Sequence, residues 1–412
     1  MDGIAQSDRD DLDQRVGPLA NRFVSSGYCF FLVGGVVRNL FLGERSKDID
    51  ITTDAYPERS AAILEDWADT VWRQGERFGT IGARKGNVVV EVTTHRSEHY
   101  MDDSRKPQVA FSESIHDDLG RRDFTVNAMA IEVPSWELVD PYGGRSDLAR
   151  RVLRTPLGPD IAFSEDPLRM LRAARFSSGY SLVPEQDLED SIRHMADRLA
   201  IVSRERINDE LTKLLLVDHP SEGLALLQRT GLLNQIFPTA NRINEVEPEV
   251  LDLIESDLSL RWAGLLWAMA DDPKQGRDLL KEVRVPNSLL SKVVAIVEAA
   301  HELSAVADKQ LATLRRLLHV TRPNTEDALV ILGAYQQSPE NEILEALRQL
   351  ELDEGTESFD VPLDGFEIAK LIEEEGPPVG VMLRRLLEYQ LEQGPLSEET
   401  ARELVLEWKT KR

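Results

Sequence analysis

Cysteine is nearly absent. Cys29 is the single one in 412 residues, so no disulfide can form within one chain, and a cytoplasmic location is expected. No apolar run approaches the length of a bilayer span, and the acidic start Met1-Asp2-Gly3-Ile4 is unlike a secretory leader, so no membrane partner is expected. Basic residues are in deficit, 48 Lys and Arg against 73 Asp and Glu, a net charge of −25 that argues against nonspecific coating of nucleic acid. The deficit is uneven: residues 1–219 carry 28 basic and 38 acidic side chains, residues 220–412 carry 20 and 35. Arginines gather between Arg145 and Arg175, so a polyanion is expected there, not at the acidic far end. No internal repeat is visible.

Hydrophobic residues at 42% and charged residues at 29% fit a globular chain, and the length suggests two to four domains. Residues 1–145 mix strands and helices, with a strand at Val88–Val92 and a polar loop over Ser97–Gln108 that should be mobile. From Leu148 onward the pattern is helical, with helices expected over Pro167–Phe176, Arg204–Leu216, Glu222–Thr230, Leu258–Ala270, Asn287–Ala300 and Asn341–Leu350. Breaks at Phe237-Pro238, Val285-Pro286 and Gly376-Pro377-Pro378 separate some of them.

The chemistry concentrates near the start. Tyr28–Val33 is a short apolar segment of strand character, followed by Gly34-Gly35 and a helix expected from Val36. The glycines allow a phosphate close to the backbone, and the helix start offers free N–H groups and its positive dipole end. Asp48-Ile49-Asp50-Ile51 alternates, so a strand sends both carboxylates to one face and both isoleucines to the core. Two adjacent carboxylates repel unless a cation lies between them, and oxygen ligands beside a triphosphate favour Mg²⁺. Either half of this pattern alone is a turn or a solvated surface; together they describe a nucleotidyl-transfer site.

Later motifs are more ambiguous by themselves. Arg121-Arg122-Asp123-Phe124-Thr125-Val126-Asn127-Ala128 reads either as a helix-cap cluster or as an arginine reaching a triphosphate. In Ser164–Phe176, Ser164 suits a helix cap, and Asp166, Arg169 and Arg172 share a face with Arg175 at its edge, while Leu168, Leu171 and Phe176 face inward. That face is either a solvated salt-bridged surface or a base-reading one. Cytosine and adenine both present an amine donor beside a ring acceptor, so one Asp–Arg pair suits CTP and ATP and rejects GTP and UTP.

Taken in order, these motifs resemble those of the class II tRNA nucleotidyltransferases, a family that holds the CCA-adding enzymes and the bacterial poly(A) polymerases. The shared residues are Gly34-Gly35 to Arg38, Asp48 and Asp50, Glu91-Val92-Thr93-Thr94, Arg121 to Ala128, Asp140-Pro141-Tyr142-Gly143-Gly144, Glu165 to Phe176, and Glu205 to Glu210. The match spans residues 28–236. The resemblance implies an α+β fold: a polymerase-β-like nucleotidyltransferase head at 1–147, then an all-α neck at 148–219, body at 220–335 and tail at 336–412. It implies template-independent addition of CCA to the tRNA 3′ end from CTP and ATP, with pyrophosphate released by a two-metal mechanism. By it Asp48 and Asp50 are metal ligands for Mg²⁺, Glu91 assists catalysis, Gly34, Gly35, Arg38 and Arg122 hold the triphosphate, Asp166 and Arg169 read the base, and Arg172 and Arg175 complete the pocket. The expected partners are tRNA, CTP and ATP. A poly(A) polymerase, a CC-only or A-only enzyme, and an inactive RNA-binding relative are the alternatives. Two departures stand out: Asn39 occupies a position that is commonly Asp, and Leu265-Leu266-Trp267-Ala268 lacks the His-Asp pair of a phosphohydrolase, so no second hydrolase activity is expected.

Overall fold

The computed structural model describes residues 3–99, 108–112, 114–355 and 361–411. The chain forms two compact units, Met1–Pro238 and Thr239–Arg412.

Alternation writes the strands of the first unit: β1 (Phe31–Val33), β2 (Asp48–Thr53), β3 (Thr70–Trp72), β4 (Thr80–Lys85), β5 (Val88–Thr94), a β6–β7 hairpin (Arg96–His99 and Gln108–Phe111), β8 (Ala130–Glu132) and β9 (Leu138–Val139). Seven of them make one mixed sheet in the order β3-β4-β5-β2-β1-β8-β9. β2 runs parallel to β5; β1 is antiparallel to β2 and β8, and β4 to β3 and β5. Helices α1 (Gln6–Ser25), α2 (Gly35–Leu42) and α3 (Pro57–Glu65) follow the three-to-four apolar spacing and seal one face. Leu12, Val16, Leu19 and Phe23 of α1 join Val36 and Leu40, Leu64, and Ile49, Ile51, Val90 and Val92 in one core. On the opposite face, β1 and β8 are covered by α4 (Ile115–Gly120) and its neighbours: Phe31, Val33 and Ala130 pack with Leu119 and Ala128. The same side of β2, β5, β4 and β3 carries the exposed Asp48, Asp50, Glu91 and Arg84.

Helices complete this unit: α5 (Gly144–Arg150), α6 (Pro159–Glu165), α7 (Leu168–Tyr180), α8 (Gln186–Met195), α9 (Arg204–Leu215), α10 (Ser221–Arg229) and α11 (Leu232–Ile236). α7 packs on both α9 and α10. A Cβ on Gly223 would lie 2.4 Å from the Ala174 carbonyl oxygen, so glycine lets α10 approach α7 closely. Its N–H donates to Ser178 Oγ at 2.7 Å. The first unit ends at Pro238.

The second unit is helical throughout its described residues. α12 (Leu258–Met269), α13 (Pro273–Glu282), α14 (Asn287–Ala305), α15 (Leu311–Thr321), α16 (Thr325–Ala334) and α17 (Asn341–Glu354) lead to α18 (Gly365–Ile372), α19 (Pro377–Gln393) and α20 (Glu398–Thr410). The last three share a core of Ile368, Ile372, Met382, Leu386, Val405 and Trp408. Trp267 rests against His301, ring centroids 4.7 Å apart. No helix among the described residues is long and apolar enough to cross a membrane.

Three local expectations change. The strand expected from Tyr28 begins only at Phe31, because the Cys29 N–H is drawn to Asp54 at 2.8 Å. The segment expected as a loop from Ser97 starts as strand β6 paired with β7, while residues 100–107 of it lie outside the described residues. Ser164 sits inside α6 and caps nothing; the chain turns at the extended Asp166, whose Oδ1 accepts the Leu168 N–H at 3.1 Å.

The fully buried Ile51, between β1 and β5, is the strongest test of the core behind the sheet. Ile51→Ala should destabilise the first unit by about 2–5 kcal/mol, seen as a lower urea midpoint for its unfolding; an unchanged midpoint would mean that this face is not close-packed.

Candidate active site

Pairing in register assembles the acidic cluster. Asp50 faces Glu91 across the parallel β2–β5 pair, and Asp48 lies two residues earlier on the same face. The cleft desolvates the Asp50 carboxyl and pushes it above its ordinary value; nearby Arg122 pulls it down and Asp48 pushes it up. Glu91 rises for the same first reason, reinforced by Asp50 and Asp48. The three carboxylates therefore feel one another. Among the described residues no group of three or more His, Cys, Asp and Glu is arranged as a complete metal cage. Two carboxylates with substrate phosphates and water are what Mg²⁺ ordinarily uses, so the donor set fits a cation shared with a polyphosphate.

Gly34 borders this cluster with φ 69° and ψ −130°, a conformation only glycine adopts readily. A Cβ there would lie 2.8 Å from Arg122 Nη1 and 3.8 Å from Asp50 Oδ2. Arg122 is thus drawn over the start of α2, beside the carboxylates, where an anion would meet both helix N–H groups and a guanidinium. Its Nη2 donates to Asp118 at 3.0 Å, while its buried Nε has no partner among the described residues. Asp118 is fully buried and also accepts from Arg121 at 2.7 Å. Burial raises the Asp118 carboxyl, but the two arginines outweigh it and hold it at about 2.

Arg38 is 6% exposed and points away from solvent. Its Nη1 donates to Asn127 Oδ1 at 2.7 Å, its Nη2 to Tyr180 Oη at 2.7 Å, and its Nε and Nη2 both to Asn39 Oδ1. The guanidinium also stacks on the Tyr180 ring at 4.0 Å. Among the described residues no carboxylate bonds to it directly, and Asn39 supplies a neutral amide. Asn127 passes the connection to Asp123 at 2.9 Å, and Asp123 accepts from Arg172 at 2.8 and 2.5 Å. Burial raises Asp123, yet Arg172, Asn127 and the Phe124 N–H hold it at about 2. Arg172 and Arg175 then meet on Glu210, at 3.5 and 2.7 Å.

Asp166 and Arg169 stand together at the start of α7 but bind different partners. Asp166 accepts from Arg206 at 2.7 Å; Arg169 donates to Glu165 at 2.8 Å and to the Arg121 carbonyl at 2.6 Å. Arg150 and Arg154 of the basic stretch are likewise tied down, both to the buried Asp147.

Of the residues singled out from sequence, Asp48, Asp50, Glu91, Gly34 and Arg122 meet at one place, with Gly35 at the start of α2. Arg38, Arg172 and Arg175 belong to a continuous internal network beside it, and Asp166 and Arg169 flank the point where α7 meets Arg121. Sequence reasoning missed Asp118 and Tyr180, and it included Arg206 in the Glu205 to Glu210 motif without giving it a role. Asp118 was findable, since it precedes Arg121 and Arg122 by three and four residues, a helical spacing for ion pairs. Tyr180 was not, since its partner Arg38 is 142 residues away.

With Asp118 and Asp123 held near 2 against about 4 when unfolded, their stabilisation is complete above pH 4 and disappears as the pH falls through 2. Asp118→Asn should therefore lower stability at neutral pH and flatten the loss of stability between about pH 4 and pH 2. Denaturant unfolding at several pH values reads this out, and an acid limb as steep as in the wild type would refute it.

Comparison with known proteins agrees with this geometry. The Poly A polymerase head domain family matches residues 30–154, and the family described as Probable RNA and SrmB- binding site of polymerase A matches residues 182–243. The CCA-adding enzyme of Geobacillus thermodenitrificans is 35% identical over 310 residues, 71% of this chain and 73% of that protein. That of Limosilactobacillus reuteri is 31% identical over 376 residues, 90% of each. Among solved structures, the Bacillus stearothermophilus CCA-adding enzyme in complex with CTP superposes with a TM-score of 0.78 at 27% identity, covering 97% of this chain and 98% of that one. The Thermotoga maritima CCA-adding enzyme complexed with tRNA_CCA shares the fold, with a TM-score of 0.66 at 20% identity over 99% and 97% of the two chains. A head with in-register carboxylates beside a glycine pair, continued by helices and matched over nine-tenths of its length, makes this chain a member of the CCA-adding enzyme family.

Proposed function

We propose that the protein adds CCA to the 3′ end of tRNA from CTP and ATP, without a nucleic-acid template, in the cytoplasm. The observation that carries this reading is the in-register row of Asp50 and Glu91 with Asp48 beside it, bordered by Gly34 and Arg122. In the reaction, the RNA 3′ hydroxyl attacks the α-phosphorus of the nucleotide, the new P–O bond forms, and the bond to pyrophosphate breaks.

Asp48 and Asp50 would hold two Mg²⁺ ions, one of which would lower the pKa of the attacking hydroxyl while the other would neutralise the leaving triphosphate. Glu91 faces Asp50 and orients the hydroxyl or its water. Arg122, anchored by Asp118, directs its remaining donors at the phosphates, as do the N–H groups at the start of α2. Arg38 supports the same place from inside: with only neutral acceptors around it, its charge adds to the positive field that draws an anion to Gly35. Asp166 and Arg169 read the base edge, with Arg206 holding the Asp166 carboxylate in place by a hydrogen bond, while Arg172 and Arg175 hold α7 in place through Asp123 and Glu210. Arg169 is held by Glu165 and by the Ala162 and Arg121 carbonyls beside Asp166.

Incubation with a tRNA lacking its CCA end and labelled CTP or ATP should give both CC and terminal A addition, dependent on Mg²⁺. Asp48→Ala or Asp50→Ala should reduce turnover at least about a thousandfold while leaving the fold and tRNA binding intact; substantial turnover by either would sink the metal assignment. Asp166→Ala and Arg169→Ala should relax selectivity, admitting UTP or GTP by about tenfold or more. Unchanged ratios across all four nucleotides for both variants would leave Asp166 and Arg169 a salt-bridging role and nothing else.

A further inference from the structure

One more side chain stands in line with the carboxylates. Trp72 on β3 faces Gly82 on β4, Gly82 faces Glu91 on β5, and Glu91 faces Asp50 on β2. Residues opposite one another in paired strands project from the same face, so the four form one row across the sheet. The core confirms the side: Val71, Ile81, Ala83, Val90 and Ile51 all pack into the helix-covered face, which sends their neighbours to the open one.

Gly82 has no side chain, and the indole takes its place. A Cβ on Gly82 would lie 2.0 Å from Trp72 Nε1, 2.1 Å from Cε2 and 2.5 Å from Cζ2. The ring therefore crosses the β4 backbone toward Glu91, about 4.8 Å away in strand spacing. It is only half-buried, so it still offers surface to a ligand. In the next row, Asp48, Val89, Arg84 and Thr70 are paired likewise. Arg84 there is exposed and in no ion pair among the described residues.

Gly34, Arg122 and the start of α2 lie on the β1 side of the carboxylates, and Trp72 lies on the other. Phosphoryl transfer runs with the attacking and leaving oxygens roughly in line. With the triphosphate on the α2 side, the attacking hydroxyl arrives over β5 and β4, across the indole. We infer that Trp72, seated on Gly82, is the platform on which the 3′-terminal nucleoside of the RNA stacks, with Arg84 meeting the backbone phosphate that precedes it. This rests on the nucleotidyltransferase reading given above. A stacking contact suits the task, because the terminal nucleotide changes with every addition and an aromatic face accepts any base. An edge-reading contact would have to be rebuilt at each step.

The test is steady-state kinetics on the full chain, with tRNA lacking CCA and CTP varied independently. Trp72→Ala should raise the KM for tRNA by about tenfold and leave the KM for CTP within about twofold, while Trp72→Phe stays near wild type. Trp72→Leu keeps an apolar cover over Gly82 without an aromatic face, so it should behave as Trp72→Ala even if the alanine variant is unstable. Arg84→Gln should raise the KM for tRNA and flatten its dependence on salt. A Trp72→Leu enzyme with wild-type KM for tRNA, or one in which only the KM for CTP rises, overturns the platform. A wild-type chain that extends no RNA fails differently, since it removes the activity on which the platform depends.

Discussion

Four aliphatic side chains behind the sheet hold three repelling carboxylates in front of it. Ile49 and Ile51 on β2 and Val90 and Val92 on β5 are essentially fully buried, and the alternation of a strand then leaves Asp48, Asp50 and Glu91 no choice of face. Burying four such chains stabilises by roughly 6–12 kcal/mol. Like charges a few ångström apart near a protein surface oppose by only about 1–4 kcal/mol per pair. That burial holds the row together, and Asp50 and Glu91 stand above their ordinary values first through desolvation, with the neighbouring carboxylates adding to it. A register slip of one residue would bury the acids and expose the isoleucines, so the same core that stabilises the head also specifies its chemistry.

Around that cluster, nearly every arginine is held by a buried acid. Asp118 takes Arg121 and Arg122, Asp123 takes Arg172, Asp147 takes Arg150 and Arg154, and Glu210 takes Arg172 and Arg175. An arginine fixed in this way has already lost its rotamer freedom, so a phosphate or base that meets its remaining donors pays less in ordering. Arg38 is the buried exception. Its neighbours Asn39, Asn127 and Tyr180 are neutral, and Asp123 reaches it only through Asn127. Arg38 is thus a buried cation whose hydrogen-bond partners are neutral.

The acid-anchored network also joins elements far apart in the chain. From Arg38 on α2 it runs through Asn127 and Asp123 to Arg172 on α7 and Glu210 on α9, so the helix that starts at the glycine pair and the helices that follow the head are mechanically one body. The close approach of α10 at Gly223 extends that body to 238.

Local periodicity determined much of this protein. The alternation in Asp48–Ile51, the apolar run at Val88–Val92 and the three-to-four spacing of α7 are properties of single segments, so they were legible before any packing was known. The glycine pair carried its meaning in the same way, because a left-handed turn before a helix needs glycine regardless of what surrounds it. Tertiary structure decided what each polar group touches. The family resemblance implied a phosphate contact for Arg38, and in the fold its guanidinium donates to Tyr180, a residue 142 positions on. Ser164 had the chemistry of a cap, but α6 continues through it and Asp166 takes the turn. Trp72 carried no signal at all, because its importance depends on a glycine in a partner strand and on the register of three strand pairs. Hydrogen-bond partners and cross-strand neighbours are chosen by elements that meet only on folding, whereas the faces on which they meet are set by residues a few positions apart.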